Sequence, residues 1–109
     1  MIQVTVEYVL RPGAEEKFEQ ALSRMQERVK GFDGYLGEEL CQSTAEDGKF
    51  VTIFYWRDRE TMATWRQDSE HLKVQQLGRE EIFAWYRIRV AEVEREYGSD
   101  EPASGAELQ

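Results

Sequence analysis

His71 is the one side chain of this sequence whose ordinary pKa lies near neutrality, because it is the only histidine among the 109 residues. A general base that removes a phenolic proton must accept it near neutral pH, so His71 is the candidate catalytic residue. It follows Asp68 in a segment typical of a helix start, where a histidine is often only exposed or hydrogen-bonded. Both interpretations of His71, as a base and as a structural residue, remain open.

Aromatic and apolar side chains could enclose a flat substrate beside this histidine. Trp65 is the main candidate for a pocket wall that stacks on the substrate, although a tryptophan in a short amphipathic helix is also typical of a core anchor. Tyr8, Tyr55 or Tyr86 could orient a substrate oxygen, with packing in the sheet as the alternative for each. The predicted substrate-binding residues are Val6, Tyr8, Phe54, Trp56, Met62 and Trp65.

Other kinds of site are not indicated. Glu7 with Arg87 and Arg89 is predicted to form an ion pair on the sheet rather than an acid–base pair. Cys41 is predicted to be a packed strand residue rather than a nucleophile. The sequence contains no glycine-rich phosphate loop, no serine-centred elbow, no metal-ligand spacing of Cys and His and no acidic metal cluster. No cofactor and no metal are therefore predicted.

Size and charge narrow the possible partners. A chain of 109 residues has room for one domain, and its formal net charge of −8 disfavours nucleic acid and anionic membranes, which attract clustered Lys and Arg. No apolar run approaches the roughly 20 residues that span a bilayer, and the N-terminus lacks the features of a secretion signal. With a single cysteine as well, the cytoplasm is the expected location. Neutral or aromatic small molecules and protein partners remain possible.

Hydrophobic periodicity predicts four strands and two helical regions. In the first strand, 2–10, residues alternate with a period of two, which gives one fully apolar face. A helix of about four turns then ends near Val29, and an Asp-Gly turn joins the second and third strands. Asp58 is the predicted N-cap of the second helical region. The remaining predicted elements are strands 35–43, 49–56 and 86–96, helix 59–67, and helix 68–77 closed by Gly78. Residues 79–86 stay open in this prediction, with one more helical turn before the last strand as an alternative.

This order, β-α-β-β-α-β, predicts an α+β, ferredoxin-like fold with an antiparallel four-stranded sheet and both helical regions on one face. The domain is predicted to span residues 1–97, and the acidic segment 98–109 is predicted to be a disordered tail. The uncovered sheet face would carry Thr5, Glu7 and Val9, a mixture too apolar for water and too polar for an ordinary core. Stacking two such faces in a homodimer resolves this conflict.

Several residues match a known sequence pattern. They are an aromatic strand ending in Trp56, Trp65 nine positions on, then Asp68-Ser69-Glu70-His71-Leu72, Gly78-Arg79-Glu80-Glu81 and a closing strand from Tyr86. This pattern resembles the antibiotic biosynthesis monooxygenase family, whose members pair as dimeric α+β barrels. The resemblance implies such a barrel, formed by a homodimer, and a cofactor-independent monooxygenase that acts on an aromatic or quinol-like molecule. A non-catalytic binding or accessory module with the same fold is the alternative.

The same family includes heme-degrading enzymes, and two positions disfavour that branch. The branch has an asparagine on the first strand, whereas the matching position here is Val6, in a sequence without asparagine. Its heme-ligating histidine matches a position near Gln75, about one helical turn after His71. The resemblance therefore does not imply heme degradation.

Overall fold

The computed structural model describes residues 1–99. Its strands are β1 (Ile2–Leu10), β2 (Tyr35–Gln42), β3 (Lys49–Trp56) and β4 (Phe83–Glu92). Its helices are α1 (Glu15–Val29), α2 (Arg59–Arg66) and α3 (Ser69–Leu77), and a single π-helical turn (Gly78–Ile82) joins α3 to β4. The predicted tail lies outside the described residues, except for Gly98 and Ser99, which have no regular secondary structure.

The four strands form one antiparallel sheet in the order β2-β3-β1-β4. Side chains from all three helices lie over the sheet face that carries Val4 and Val6. The α+β, ferredoxin-like prediction is therefore confirmed. The second helical region is divided into α2 and α3, because Asp68 interrupts it and caps the new helix.

The core lies where β1 and β3 meet α1 and α2. Ile2 and Trp56 are paired across the two strands, and each is 2% exposed. Met62 and Trp65 of α2 pack on them together with Val29 of α1. Burying a large apolar side chain contributes about 1.5–3 kcal/mol. This cluster therefore holds α2 firmly against the sheet.

The start of α2 is held by a dense set of polar contacts. Asp58 Oδ1 accepts hydrogen bonds from the Thr61 backbone N–H and the Thr61 hydroxyl, each at 2.9 Å. These bonds, together with one from Arg57, lower the pKa of Asp58 to about 2. Gly34 lies directly against Thr61 with φ +86°, and a Cβ there would be 2.2 Å from Thr61 Oγ1. Only glycine fits at position 34, where the residue that precedes β2 contacts the start of α2.

The segment before β4 agrees with the prediction in part. α3 ends at Leu77 with Gly78 as its C-cap, as predicted, but the φ of −57° and ψ of −48° of Gly78 are helical rather than left-handed, and the chain continues into the π-helical turn. A Cβ at Gly78 would lie 2.8 Å from the Phe83 ring, so the glycine is needed for close packing. β4 begins at Phe83 rather than Tyr86, since Phe83 pairs with Leu10 beyond a register shift. It ends at Glu92, before the predicted limit.

The sheet face opposite the helices carries a half-buried carboxylate. Glu7 Oε1 lies 2.7 Å from Lys49 Nζ, its other oxygen accepts a hydrogen bond from Arg89, and its side chain is 14% exposed. The Lys49 and Arg89 hydrogen bonds lower the pKa of Glu7. Arg87 instead lies over the Trp85 ring, 5.3 Å from its centroid. The predicted pairing of Glu7 is thus correct for Arg89 and wrong for Arg87, and the prediction missed Lys49.

Candidate functional site

A cavity of about 660 Å³ lies on the helix-covered side of the sheet. Its floor consists of alternate residues of β1, β3 and β4, and its wall consists of α2, α3 and the π-helical turn. The floor is apolar because the period of two turns Val4, Val6 and Ile88 to the same face. The cavity opens beside the edge strand β4, where Tyr86 is 40% and Ile88 49% exposed. Its volume lies in the range of small-molecule sites.

Six of the seven residues predicted for the site line this cavity together. They are Val6, Phe54, Trp56, Met62, Trp65 and His71. The strand residues among them lie on one sheet face, and the α2 residues face that sheet because Met62 and Trp65 belong to the core cluster. The geometry gathers these side chains at one place, while their roles remain predictions.

Tyr8 is the predicted site residue that does not line this cavity. It lies farther along the same face, under α1, in a second cavity of about 180 Å³. It is 2% exposed, and its hydroxyl is 3.1 Å from Thr52 Oγ1. Burial raises its pKa, so the phenol stays protonated. Among the candidate tyrosines, Tyr86 lines the large cavity, whereas Tyr55 lies on the opposite face of the sheet.

His71 is held in one orientation by two contacts with Trp65. Its ring stacks on the indole with centroids 4.4 Å apart and 18° between the planes. Its Nδ1 lies 3.1 Å from the Trp65 carbonyl oxygen. Because a carbonyl only accepts hydrogen bonds, Nδ1 carries a proton, and in the neutral ring Nε2 is left as the proton acceptor. Burial lowers the pKa of His71, which favours this neutral form.

Asp68 fixes the start of α3 beside this histidine. Its Oδ2 accepts a hydrogen bond from the His71 backbone N–H at 3.1 Å. Both of its carboxylate oxygens accept hydrogen bonds from Arg28 of α1, each at 2.7 Å. The Arg28 guanidinium is the main reason why the pKa of Asp68 falls to about 2. His71 is therefore a helix-start residue, as predicted, and it also lines the cavity.

Trp65 combines both roles that were weighed for it. It is 7% exposed and packs edge-on against Phe32, with ring centroids 4.8 Å apart. It also stacks on Trp56 at 6.4 Å and lines both cavities. The side chain is a core anchor whose remaining surface forms the cavity wall.

The sequence interpretation missed the polar lining of the large cavity. This lining consists of Arg66, Gln67, Gln75 and Arg79. Helical spacing could have found Gln75, which follows His71 by four residues and so lies on the same helix face. Arg79 could not be found this way, because it lies in the π-helical turn, where that spacing does not hold.

Within residues 1–99 no group of three or more His, Cys, Asp or Glu side chains is placed to hold a metal ion. No helix of the same range is long and apolar enough to cross a membrane.

Sequence comparison finds one family and several relatives. A family model described as antibiotic biosynthesis monooxygenase matches residues 1–77. The uncharacterised protein YqjZ of Bacillus subtilis is 33% identical over 63 residues, which cover 58% of this chain and 54% of the relative. Jasmonate monooxygenase ABM of Pyricularia oryzae is 23% identical over 101 residues, which cover 93% of this chain and 47% of the relative. The chain spans about half the length of these two relatives.

Solved structures share the fold. SnoaB, a cofactor-independent oxygenase from Streptomyces nogalater, matches with a TM-score of 0.74 at 14% identity, covering 90% of this chain and 97% of that one. Rv0793 from Mycobacterium tuberculosis matches with a TM-score of 0.76 at 20% identity, covering 89% and 98%. At such low sequence identity, these structural matches show that the chain shares the fold of the two proteins.

Proposed function

Because the chain belongs to the antibiotic biosynthesis monooxygenase family, we propose that it is a cofactor-independent monooxygenase acting on an aromatic or quinol-like small molecule. The observation that carries the proposal is a neutral His71, oriented by Trp65, at the wall of an apolar cavity. The fold shared with SnoaB, which is described as a cofactor-independent oxygenase, supports the same activity.

The proposed reaction begins with His71 as the base. Its Nε2 takes a proton from an acidic phenol or enol of the substrate. The resulting carbanion reduces O₂ and forms a peroxide on the ring carbon. Loss of water from this peroxide leaves a carbonyl, so that a CH₂ group and O₂ become C=O and H₂O, and the proton on His71 returns to the leaving oxygen. The apolar floor formed by Val4, Val6 and Trp56 shields the peroxide from bulk water on the side of the sheet.

Oxygen uptake tests this proposal. With an anthrone or a dihydroxynaphthalene and no added metal or flavin, uptake should exceed the rate in buffer alone. His71→Asn retains a side-chain donor for the Trp65 carbonyl but removes the base, and it should slow turnover by about 10²–10⁴-fold. The wild-type rate should rise with pH as His71 loses its proton, with a midpoint below the ordinary value of 6.5.

Three outcomes would contradict the mechanism. They are uptake at the buffer rate, full activity of His71→Asn, and a pH profile that does not change with this substitution. Thermal unfolding of His71→Asn serves as the control, because the variant must remain folded for its rate to count. Trp65→Phe should weaken substrate binding more than turnover, since it alters the wall and leaves the base in place.

A non-catalytic binding module is the second candidate. It is favoured by the position of the polar groups Arg66, Gln67 and Arg79, which are exposed, whereas the interior lining is apolar. A module of this kind would gain thermal stability from flat aromatic ligands and show no oxygen uptake. Oxygen uptake and thermal stabilisation by ligand, measured together, distinguish the monooxygenase from the binding module.

The proposal also includes a homodimer located in the cytoplasm. The open sheet face places the Glu7–Lys49–Arg89 ion cluster beside half-buried apolar residues such as Val51 and Ile53. A second copy of this face would cover that area and leave the charges paired. Light scattering should then give twice the chain mass of 12.8 kDa. A monomer at millimolar concentration would overturn the stacking. Cys41 is exposed in the single chain, so the prediction that it packs in its strand is wrong, and an exposed lone thiol is compatible with a reducing compartment.

A further inference from the structure

The charge at the large cavity is opposite in sign to the charge of the chain. The full sequence carries 22 acidic and 14 basic residues, for a net charge of −8. The lining of the cavity nevertheless contains two arginines, Arg66 and Arg79, and no Asp or Glu among the described residues. Both arginines are exposed, so they lie where the cavity meets solvent.

Neither arginine is used in a structural ion pair within residues 1–99. Other arginines of the same chain are used in this way. Arg28 binds Asp68 through two hydrogen bonds, and Arg57 binds Asp33 through two more. At the cavity, two guanidinium groups therefore keep their donors available.

The two side chains also have defined positions in the fold. Arg66 ends α2, whose other face packs in the core through Met62 and Trp65. Arg79 lies in the π-helical turn, where its own backbone carbonyl accepts a hydrogen bond from Arg11 at 3.0 Å. Its neighbour Gly78 is held against the Phe83 ring. Two separate elements thus bring positive charge to one opening.

We propose that the cavity selects a ligand that combines a flat apolar ring system with a carboxylate, and that Arg66 and Arg79 bind the carboxylate at the cavity mouth. The inference rests on the proposed use of this cavity as a small-molecule site. Guanidinium groups bind carboxylates through charge-assisted hydrogen bonds, often two in parallel. In a chain of net negative charge, a local positive pair is what allows an anion to approach.

A matched pair of ligands tests the inference without any turnover. 2-Naphthoate and 2-naphthamide have the same ring and nearly the same shape, differ in charge, and are stable in air. Isothermal titration of the full chain at low ionic strength should show naphthoate binding about tenfold more tightly than the amide. Added salt should reduce this preference, because the arginines are exposed.

Substitutions locate the charge effect. Arg66→Gln and Arg79→Gln should each weaken naphthoate binding several-fold and leave naphthamide binding unchanged. Arg24→Gln is the control, since Arg24 is exposed on α1, lines neither cavity and makes the same change in net charge. Arg66→Lys should retain part of the preference.

The outcomes separate this inference from the proposed function. Equal binding of the two ligands by the wild type would overturn the carboxylate inference and leave the monooxygenase proposal standing. An equal loss for both ligands in the glutamine variants would overturn it too, because the arginine stems would then act only by packing. Failure of both ligands to bind would overturn the site itself. A naphthoate preference without oxygen uptake would support the inference and favour the binding module.

Discussion

Replacing Gly34 by alanine should destabilise the fold through a clash that can be isolated from the cost of the backbone conformation. At Gly34 the new Cβ would lie 2.2 Å from Thr61 Oγ1, 2.4 Å from Thr61 Cβ and 2.6 Å from Thr61 Cγ2. No rotation of the threonine side chain relieves a contact with its own Cβ. The contact must be relieved by moving the start of α2, which carries Met62 and Trp65 into the core.

Gly13→Ala is the matched control. Gly13 has φ +80°, close to the +86° of Gly34, and nothing lies within 4 Å of its Cβ position. Both variants pay the left-handed backbone penalty of about 1–2 kcal/mol and gain about 0.4–1 kcal/mol from a less flexible unfolded chain. We expect Gly13→Ala to cost about 1 kcal/mol and Gly34→Ala about 1–3 kcal/mol more, the usual cost of overpacking.

Urea unfolding followed by tryptophan fluorescence measures the difference. Protein concentration must be equal in all samples, because the stability of a dimer depends on it. The midpoint for Gly34→Ala should lie clearly below that for Gly13→Ala, with an unchanged slope. Equal midpoints for the two variants would show that the Gly34–Thr61 contact does not position α2, and the reasoning would be refuted.

Two further predictions concern acid and heme. Since the pKa values of Asp58 and Asp68 are both about 2, below the ordinary 3.8, the stability they contribute should be present above about pH 4 and lost as pH falls toward 2. Asp58→Asn or Asp68→Asn should flatten this part of the stability profile, and a wild-type midpoint independent of pH would contradict it. Hemin should bind only weakly, because Val6 and Gln75 line the cavity and, by the resemblance of the sequence, they match the positions where the heme-degrading branch has its asparagine and histidine. A sharp one-to-one Soret band that His71→Ala abolishes would overturn this second prediction.

The strand pattern predicted which side chains share a face, but not which helix covers them. The period of two in β1 correctly placed Val6 and Tyr8 on the helix side of the sheet. The face is divided, however, because the first half of α1, with Phe18, packs on Tyr8, whereas α2 and the end of α1 at Val29 pack at the Ile2 end. That division depends on how the connections cross the sheet, which no local periodicity records. Tyr8 was therefore assigned to the large cavity although it lies in the smaller one.

The start of β4 was missed for a related reason. Residues 79–82 mix charges with one apolar residue, and the π-helical turn there has no helical spacing to detect. Phe83 belongs to the strand because it pairs with Leu10, which is far away in the chain, and its ring packs on the nearby Gly78. The glycine that ends α3 also allows a ring to approach the backbone. Sequence alone does not distinguish these two uses of glycine.

The net charge of the chain does not predict the charge of a small ligand, because electrostatic interactions in salt solution are short-ranged. At physiological ionic strength a charge is screened beyond about 8–10 Å. A small molecule at the cavity mouth therefore responds to Arg66 and Arg79 more than to the −8 of the whole chain. A nucleic acid, in contrast, spans many such lengths and meets the average field, so the composition still predicts that long polyanions do not bind. The same acidic surface that repels long polyanions is compatible with a carboxylate bound at the cavity mouth. Binding of 2-naphthoate therefore tests the local charge at the cavity mouth separately from the net charge of the chain.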